Sequence, residues 1–251
     1  MAGASAERQE NGVIQKIKDA VKKNKGNPIT LKAGKTTIEG VVGAEKYTGR
    51  QTGGSEPYTD VVIYVYAAGK KHPINCSLKG ESAPSLAGGG LKGLELAVPG
   101  IAKKFMEAAF KELKTGKKLK SGDKVPDVFG KISAGNKVKI VVGNKAMGGP
   151  IDYMYIGPMT VGGTYDVKKN ILPLNGELTE AETYAKTHNL YFRLRARRED
   201  QRFDPTATDK DGTPKIYGVS PSRGDSAGRI VVTDKVPSTG VIVNIWTSHN
   251  I

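Results

Sequence analysis

The stretch that decides the fold is residues 58–79, which read YTDVVIYVYAAGKKHPINCSLK. The run 58–66 is rich in β-branched and aromatic residues, and a second run, 71–79, follows it after the short segment 67–70. Runs of this length and composition on either side of a short turn are typical of two paired antiparallel strands. The stretch therefore predicts a β-hairpin.

The register of this hairpin decides which side chains meet. If Tyr66 lies opposite Lys71, Asp60 lies opposite Ser77. Side chains alternate between the two faces of a strand and cross-strand partners share a face, so Asp60, Ser77 and Lys79 should converge. The opposite face then collects the apolar residues Val61, Ile63, Val65, Ile74, Cys76 and Leu78. A carboxylate and an ammonium on an apolar hairpin are costly unless they serve a purpose, so we expect a functional site here.

The flanking sequence supplies the rest of a mixed α/β (α+β) fold. Residues 5–23 carry apolar side chains at helical spacing, and Glu10 projects from that apolar face with Glu7 one turn earlier. A second helix should begin at Pro99. Further expected elements are strands over 29–32, 36–42, 137–142, 190–197, 228–233 and 240–246, and a short helix over 179–188. We expect a central mixed sheet flanked by helices, with residues 1–144 as the core and 145–251 as a β-rich extension that grips DNA or completes the same domain.

Composition restricts the classes of partner. The 251 residues include 39 Lys and Arg against 25 Asp and Glu, a net charge of +14, and most of the excess lies in residues 1–144. A strongly basic protein suggests a polyanionic partner, most often nucleic acid. No window approaches a membrane span, and the amino terminus has no apolar segment of a secretory signal. A single cysteine excludes an intramolecular disulfide framework. We therefore expect a cytoplasmic protein with no membrane partner.

Three groups of side chains are candidate DNA contacts. Arg50 and Gln51 lie in a glycine-rich loop before Asp60. Arg193, Arg195 and Arg197 share one face if residues 190–197 form a strand, although an edge strand protected by charge would look the same. The third group is a run of lysines that would attract phosphate, and it comprises Lys103, Lys104, Lys111, Lys114, Lys117, Lys118, Lys120 and Lys124. The alternative interpretation of these lysines is a solvated helix face followed by a basic loop.

At this point the residues resemble a known family. Pro57-Tyr58-Thr59-Asp60, followed after a hairpin by Ser77-Leu78-Lys79, is similar to the core motif of the PD-(D/E)XK (restriction-endonuclease-like) nuclease superfamily. In that family a helix supplies a Glu, a strand the Asp, and the next strand an acidic residue, a spacer and a Lys, before another helix. Glu10, Asp60, Lys79 and the helix at Pro99 match this order over residues 5–142.

One position departs from the motif. Ser77 stands where the family has the acidic residue of the triplet. Some members carry Ser there and recruit a Glu from the following helical region, for which Glu95 is the first candidate and Glu81 the second. Without such a substitute the metal site lacks a ligand, and the protein would bind DNA without cutting it.

The resemblance implies a metal-dependent DNA endonuclease. Mg²⁺ or Mn²⁺ would be held by Asp60, by Glu95 or Glu10, and by a backbone carbonyl at Cys76 or Leu78, while Lys79 assists the attacking water. Cutting both strands would favour a homodimer. Two alternatives remain open: a non-catalytic DNA-binding or phage virion-associated structural protein, and an assembly protein whose charge meets an acidic partner.

Overall fold

The computed structural model describes residues 4–50, 52, 56–81, 90–196, 202–216, 219–220, 224–225 and 228–245. The chain divides into two compact units, each built from separated stretches. The first unit comprises Met1–Gln51, Pro57–Ala83 and Val142–Tyr184. The second comprises Thr52–Glu56, Pro84–Val141 and Ala185–Ile251. These units are defined by how the chain packs in space, whereas the expected boundary between residues 144 and 145 was based on the distribution of charge.

A seven-stranded mixed sheet forms the centre of the first unit. Its strand order is β7-β1-β2-β3-β4-β6-β8, with β7 parallel to β1, β6 parallel to β4, and the other pairs antiparallel. A mixed α/β architecture with a large mixed sheet is therefore confirmed. Its elements are α1 (Ala4–Lys23), β1 (Ile29–Ala33), β2 (Thr36–Lys46), β3 (Val61–Ala67), β4 (Lys70–Gly80), β6 (Tyr153–Gly157), β7 (Ile171–Leu174), β8 (Glu177–Glu180) and the start of α5 (Ala181–Thr187).

The hairpin forms in the expected register. Tyr66 pairs with Lys71 and Val61 with Cys76 across β3 and β4, and Ala68 and Gly69 make the turn with positive φ angles. One more step along the two strands brings Asp60 beside Ser77. The alternation of apolar and polar residues fixed this register, because a slip by one residue would turn the apolar face toward solvent.

Helix α1 covers the apolar face of this sheet. Its buried residues include Val13, Ile14 and Ile17, which pack into one hydrophobic core with the strands. From the hairpin, Val61, Ile63, Cys76 and Leu78 belong to this core, and Val65 and Ile74 pack against it. The apolar residues that recur at helical spacing in α1 thus pack against the apolar residues that alternate along the strands.

The second unit is built around a smaller sheet of order β12-β9-β5-β13. Strands β12 and β5 flank β9 antiparallel, and β13 is parallel to β5. Its elements are α2 (Gly90–Ala97), α3 (Ile101–Lys111), a π-helical turn (Glu112–Gly116), β5 (Val128–Lys131), α4 (Ala134–Val142), the end of α5, β9 (Tyr191–Ala196), the short pair β10 (Val219–Ser220) and β11 (Gly224–Asp225), β12 (Gly228–Thr233) and β13 (Val241–Val243).

The expected strand over 137–142 is wrong, because these residues lie in helix α4. The backbone N–H groups of Asn136 and Lys137 donate to the Ser133 carbonyl, which starts the helix, and Ile140 and Val141 are buried. A short β-branched run does not distinguish a buried strand from a buried helix by periodicity alone. The sequence also did not predict two other elements, α2 and β5.

Within the described part of the chain, no helix is both long enough and apolar enough to traverse a lipid bilayer.

Candidate functional site

Asp60 is held at the start of β3 by its own backbone. Its N–H donates to the Cys76 carbonyl at 3.0 Å, and its carbonyl accepts from the Tyr47 N–H at 3.1 Å. These bonds extend the ladders to β4 and β2 by one residue beyond the strand itself. The Asp60 side chain therefore projects from a fixed point on the face opposite the core.

Three donors converge on one oxygen of the Asp60 carboxylate. The Ser77 hydroxyl donates to Oδ2 at 3.0 Å, the Leu78 N–H donates to it at 2.6 Å, and the Lys79 Nζ lies 3.9 Å away. The Asp60 side chain is 24% exposed and that of Lys79 13%. The predicted convergence of Asp60, Ser77 and Lys79 is what the structure contains.

A second ion pair lies beside the first. Lys46, the last residue of β2, places its Nζ 2.8 Å from Oε2 of Glu10, whose side chain is 11% exposed. The hydrogen bond and charge of Glu10 raise the pKa of Lys46, and the charges of Glu7 and Asp60 add to this. Lys46 thus lies in the fields of both carboxylates that the sequence had singled out from α1 and β3.

Gln9 fastens α1 to the same end of the sheet. Its side-chain amide, 2% exposed as a residue, donates to the carbonyls of Lys79, Gly157 and Pro158 at 3.2, 2.9 and 3.3 Å. These acceptors lie at the ends of β4 and of its parallel neighbour β6. Sequence reasoning missed Gln9, although its position four residues before Val13 on the buried helix face was a usable signal. It also missed Lys46, for which the sequence contains no signal.

The opposite face of the hairpin excludes water. Burial raises the pKa of the Cys76 thiol to about 12, with the charge of Asp60 as a smaller cause. Such a thiol stays protonated at neutral pH and is inert. The sequence assigned Cys76 to the core, and the structure places it there.

The two candidate substitutes for the missing acidic residue lie in different places. Glu95 belongs to the second unit, where its carboxylate accepts from the backbone N–H groups of Gly100 and Ala102 at 2.7 and 2.8 Å and so caps α3. Glu81 is exposed just after β4, and its charge contributes to raising the pKa of Tyr155. The role of either as a metal ligand stays a prediction.

Among the residues that the structure describes, no group of three or more His, Cys, Asp or Glu side chains is arranged to hold a metal ion. Asp60 and Glu10 are the two predicted carboxylates of the first unit, and the charges of both raise the pKa of Lys46, that of Glu10 more strongly. Any divalent ion here would therefore need main-chain or phosphate oxygens as further ligands.

The expected DNA contacts are spread over both units. Arg50 is exposed in the first unit, and Lys103 and Lys104 are exposed on α3 in the second. Lys103 lies 3.8 Å from Asp211. Gln51 and Arg197 lie outside the described residues, and only the backbone of Arg195 is described.

Arg193 differs from the other expected contacts. Its Nη2 donates to Asp127 Oδ2 at 2.9 Å, and its guanidinium lies 5.8 Å from the ring centre of Phe129. Phe192 and Leu194 are buried on the other face of β9, as the strand alternation predicts. Arg193 is therefore part of a structural ion pair as it stands.

Comparison with protein-family models, with curated proteins and with solved structures finds no match in any of the three. The function therefore has to be inferred from the geometry of Asp60 and its neighbours.

Proposed function

We propose that the protein is a metal-dependent DNA endonuclease with a restriction-endonuclease-like core, hydrolysing phosphodiester bonds. The observation that supports this most directly is the 3.9 Å separation of Lys79 Nζ and Asp60 Oδ2 on the polar face of an otherwise apolar hairpin. Opposite-facing side chains would have excluded the proposal. The order of helical Glu10, strand Asp60 and next-strand Lys79 is that of the family which the sequence resembles.

The residues at this site suit a hard divalent cation. Among the described residues, the side-chain contacts of Asp60 are made by Oδ2, and the side chain is 24% exposed. Mg²⁺ commonly uses one or two carboxylates, several waters and substrate phosphate oxygens. Asp60 would be the principal ligand, with Glu10 and the carbonyl of Leu78 or Cys76 as further ligands. When bound, such an ion lowers the pKa of water and stabilises negative charge on a phosphate.

The chain's own residues would position the reactants. The Lys79 ammonium, held beside Asp60, would donate to the attacking water or to a phosphate oxygen and stabilise the charge that develops there. Ser77 fixes the rotamer of Asp60 through its hydrogen bond. The exposed lysines of α3 and the following turn would hold the DNA backbone without reading its sequence.

A second function, DNA binding without cleavage, is favoured by a specific observation. The Lys79 ammonium is paired with the Asp60 carboxylate and the Lys46 ammonium with the Glu10 carboxylate. These four charges sum to zero, so the site attracts a divalent cation less strongly than two carboxylates without ammonium partners would. In this case Asp60 would only orient Lys79 toward the DNA backbone.

Plasmid cleavage with matched variants tests both functions. We expect the wild type to cut supercoiled plasmid with Mg²⁺ or Mn²⁺ and not with EDTA, and expect Asp60→Asn and Lys79→Ala to lose at least about 100-fold in rate. The matched controls are Asp19→Ala and Lys169→Ala, which remove exposed side chains of the first unit and should cut normally. Circular dichroism would show that all four variants fold.

The outcomes separate the candidates. Metal-dependent cleavage lost in both site variants supports the nuclease. DNA binding with a steep salt dependence and no cleavage in any metal supports the binding protein. Absence of DNA binding at low salt contradicts both. Light scattering of the active species with and without DNA would test the homodimer that double-strand cleavage would favour.

A further inference from the structure

The second unit contains a cavity apart from the Asp60 site. It has a volume of about 530 Å³ and lies where the end of β5, the start of α4 and strand β13 meet. This volume is within the range of small-molecule sites, which is roughly 300–1,000 Å³. All the residues that line it belong to the second unit, so the cavity is formed within a single compact body.

The cavity wall is positively charged. Lys131 and Lys137 line it, and its lining residues include no carboxylate, all of them being described by the structure. Lys137 Nζ donates to the His188 carbonyl at 2.6 Å, which holds the ammonium in place and leaves its two other hydrogens for a ligand. A concave surface with two ammonium groups and no acid selects an anion.

The start of α4 adds donors to the same wall. Ser133 and Ala134 line the cavity, and Ala134 is the first residue of this nine-residue helix. The first N–H groups of a helix have no acceptor within it, and the helix dipole favours negative charge there. The Ser133 hydroxyl oxygen accepts from the Asn136 side chain at 2.9 Å, so its own proton is directed to a different acceptor. Lysines and a helix start together are a typical phosphate-binding combination.

The remaining wall is apolar and is bordered by amides. Ile242 is 52% exposed, one of the few large hydrophobic side chains that the structure leaves in solvent, and it lines the cavity with buried Val243 and Ile132. The side chains of Asn189 and Asn244 are at the border. An apolar platform beside amide groups suits a flat heterocycle that carries hydrogen-bonding edges, such as a nucleobase.

We propose that this cavity binds one nucleotide unit, with its phosphate at Lys131, Lys137 and the start of α4 and its base against Ile242. The unit comes either as a free mononucleotide or as part of a single DNA strand. Neither source depends on cleavage at Asp60, so the proposal does not rest on the proposed nuclease activity.

Calorimetric titration tests the proposal with deoxythymidine monophosphate, thymidine, inorganic phosphate and a short oligothymidylate as separate probes. We expect the monophosphate or the oligonucleotide to bind, and Lys131→Gln to weaken that binding about fivefold to tenfold, since one charge-assisted contact is lost. Ile242→Ser should weaken it similarly. The control Lys139→Gln removes an exposed lysine of the same helix that does not line the cavity, and it should change nothing.

The probes also identify the source. Binding of the oligonucleotide alone assigns the cavity to a DNA strand, and equal binding of the monophosphate assigns it to a free nucleotide. Three results would overturn the proposal: no binding of either nucleotide probe, inorganic phosphate bound as tightly as the monophosphate, or equal weakening by Lys131→Gln and Lys139→Gln.

Discussion

The Ser77 hydroxyl donates a hydrogen bond to Asp60 Oδ2 across 3.0 Å. In the motif that the sequence resembles, the position of Ser77 is occupied by a carboxylate, which would face Asp60 at about this separation. Two carboxylates this close repel unless a cation or a proton lies between them. The serine thus gives a stable arrangement in the absence of metal, at the expense of one ligand.

A carboxylate at this position should strengthen the metal site proposed at Asp60. We expect Ser77→Asp to destabilise the metal-free protein by about 1–3 kcal/mol, because it loses a hydrogen bond and places like charges together. Mg²⁺ should reverse this loss, since a ligand that binds only the folded state stabilises it. The measurement is urea unfolding with EDTA and with MgCl₂. The uncharged control Ser77→Asn should show no Mg²⁺ effect beyond that of the wild type, and an equal Mg²⁺ response of all three proteins would contradict this view of the site.

The Gln9 amide should be a major contributor to stability. Gln9→Ala removes the donor shared by the buried carbonyl of Gly157 and the part-buried carbonyls of Lys79 and Pro158, and we expect a loss of about 1–3 kcal/mol in the free energy of unfolding. Gln15→Ala removes an exposed glutamine of the same helix that bonds only Asp19. That control should change stability by less than about 0.5 kcal/mol. Equal losses would show that the Gln9 bonds contribute nothing specific.

The Cys76 thiol should make the protein sensitive to alkali. Its pKa rises from 9.0 in the unfolded chain to about 12 in the fold, because burial disfavours the thiolate. The folded state therefore keeps a proton that the unfolded state releases, so its stabilising contribution is full below pH 9 and is lost as the pH rises toward 12. We expect the free energy of unfolding to fall less steeply over this range in Cys76→Ala than in the wild type, by at most roughly 1.4 kcal/mol per pH unit. Parallel slopes would contradict this.

Arg193 should act in stability and not in DNA binding. Arg193→Gln removes the 2.9 Å bond to Asp127, and we expect it to lower the free energy of unfolding by about 1–3 kcal/mol. Its DNA affinity, measured by fluorescence anisotropy across a salt series, should keep the wild-type slope. Lys104→Gln, at an exposed position on α3, should reduce that slope by about one if Lys104 contacts a phosphate. A reduced salt dependence of DNA affinity for Arg193→Gln would contradict this and show that Arg193 contacts DNA.

The sequence predicted the hairpin and its register because two conditions act together: alternation puts Val61, Ile63, Cys76 and Leu78 on one buried face, and the short turn fixes which residues pair. It predicted α1 because the apolar residues of that segment recur at helical spacing. It failed at 137–142, where residues of strand-like composition form a helix started at Ser133 and buried by its surroundings. Local propensity is a weak guide when tertiary packing decides.

The residues of the candidate site likewise include some that the sequence predicts and some that it does not. Asp60, Ser77 and Lys79 are close in sequence to one turn, so strand geometry sufficed to bring them together. Gln9 and Lys46 reach the site from elements far along the chain, and no spacing rule connects them to it. Glu95 is near a helix start at Gly100, where its carboxylate caps the helix, a use that sequence distance alone does not reveal.

The pairing of β4 with β6 has a consequence for the order of synthesis. Ser77 and Lys79 lie on a strand whose parallel neighbour begins at Tyr153, after all of α2, α3, β5 and α4 has been made. A nascent chain that ends near residue 144 would present β4 as an unpaired edge, open to association with other chains. Closing so long a loop is slow, so the polar face around Asp60 should be among the last regions to become rigid. A fragment of residues 1–144 should therefore aggregate and not fold into a stable domain.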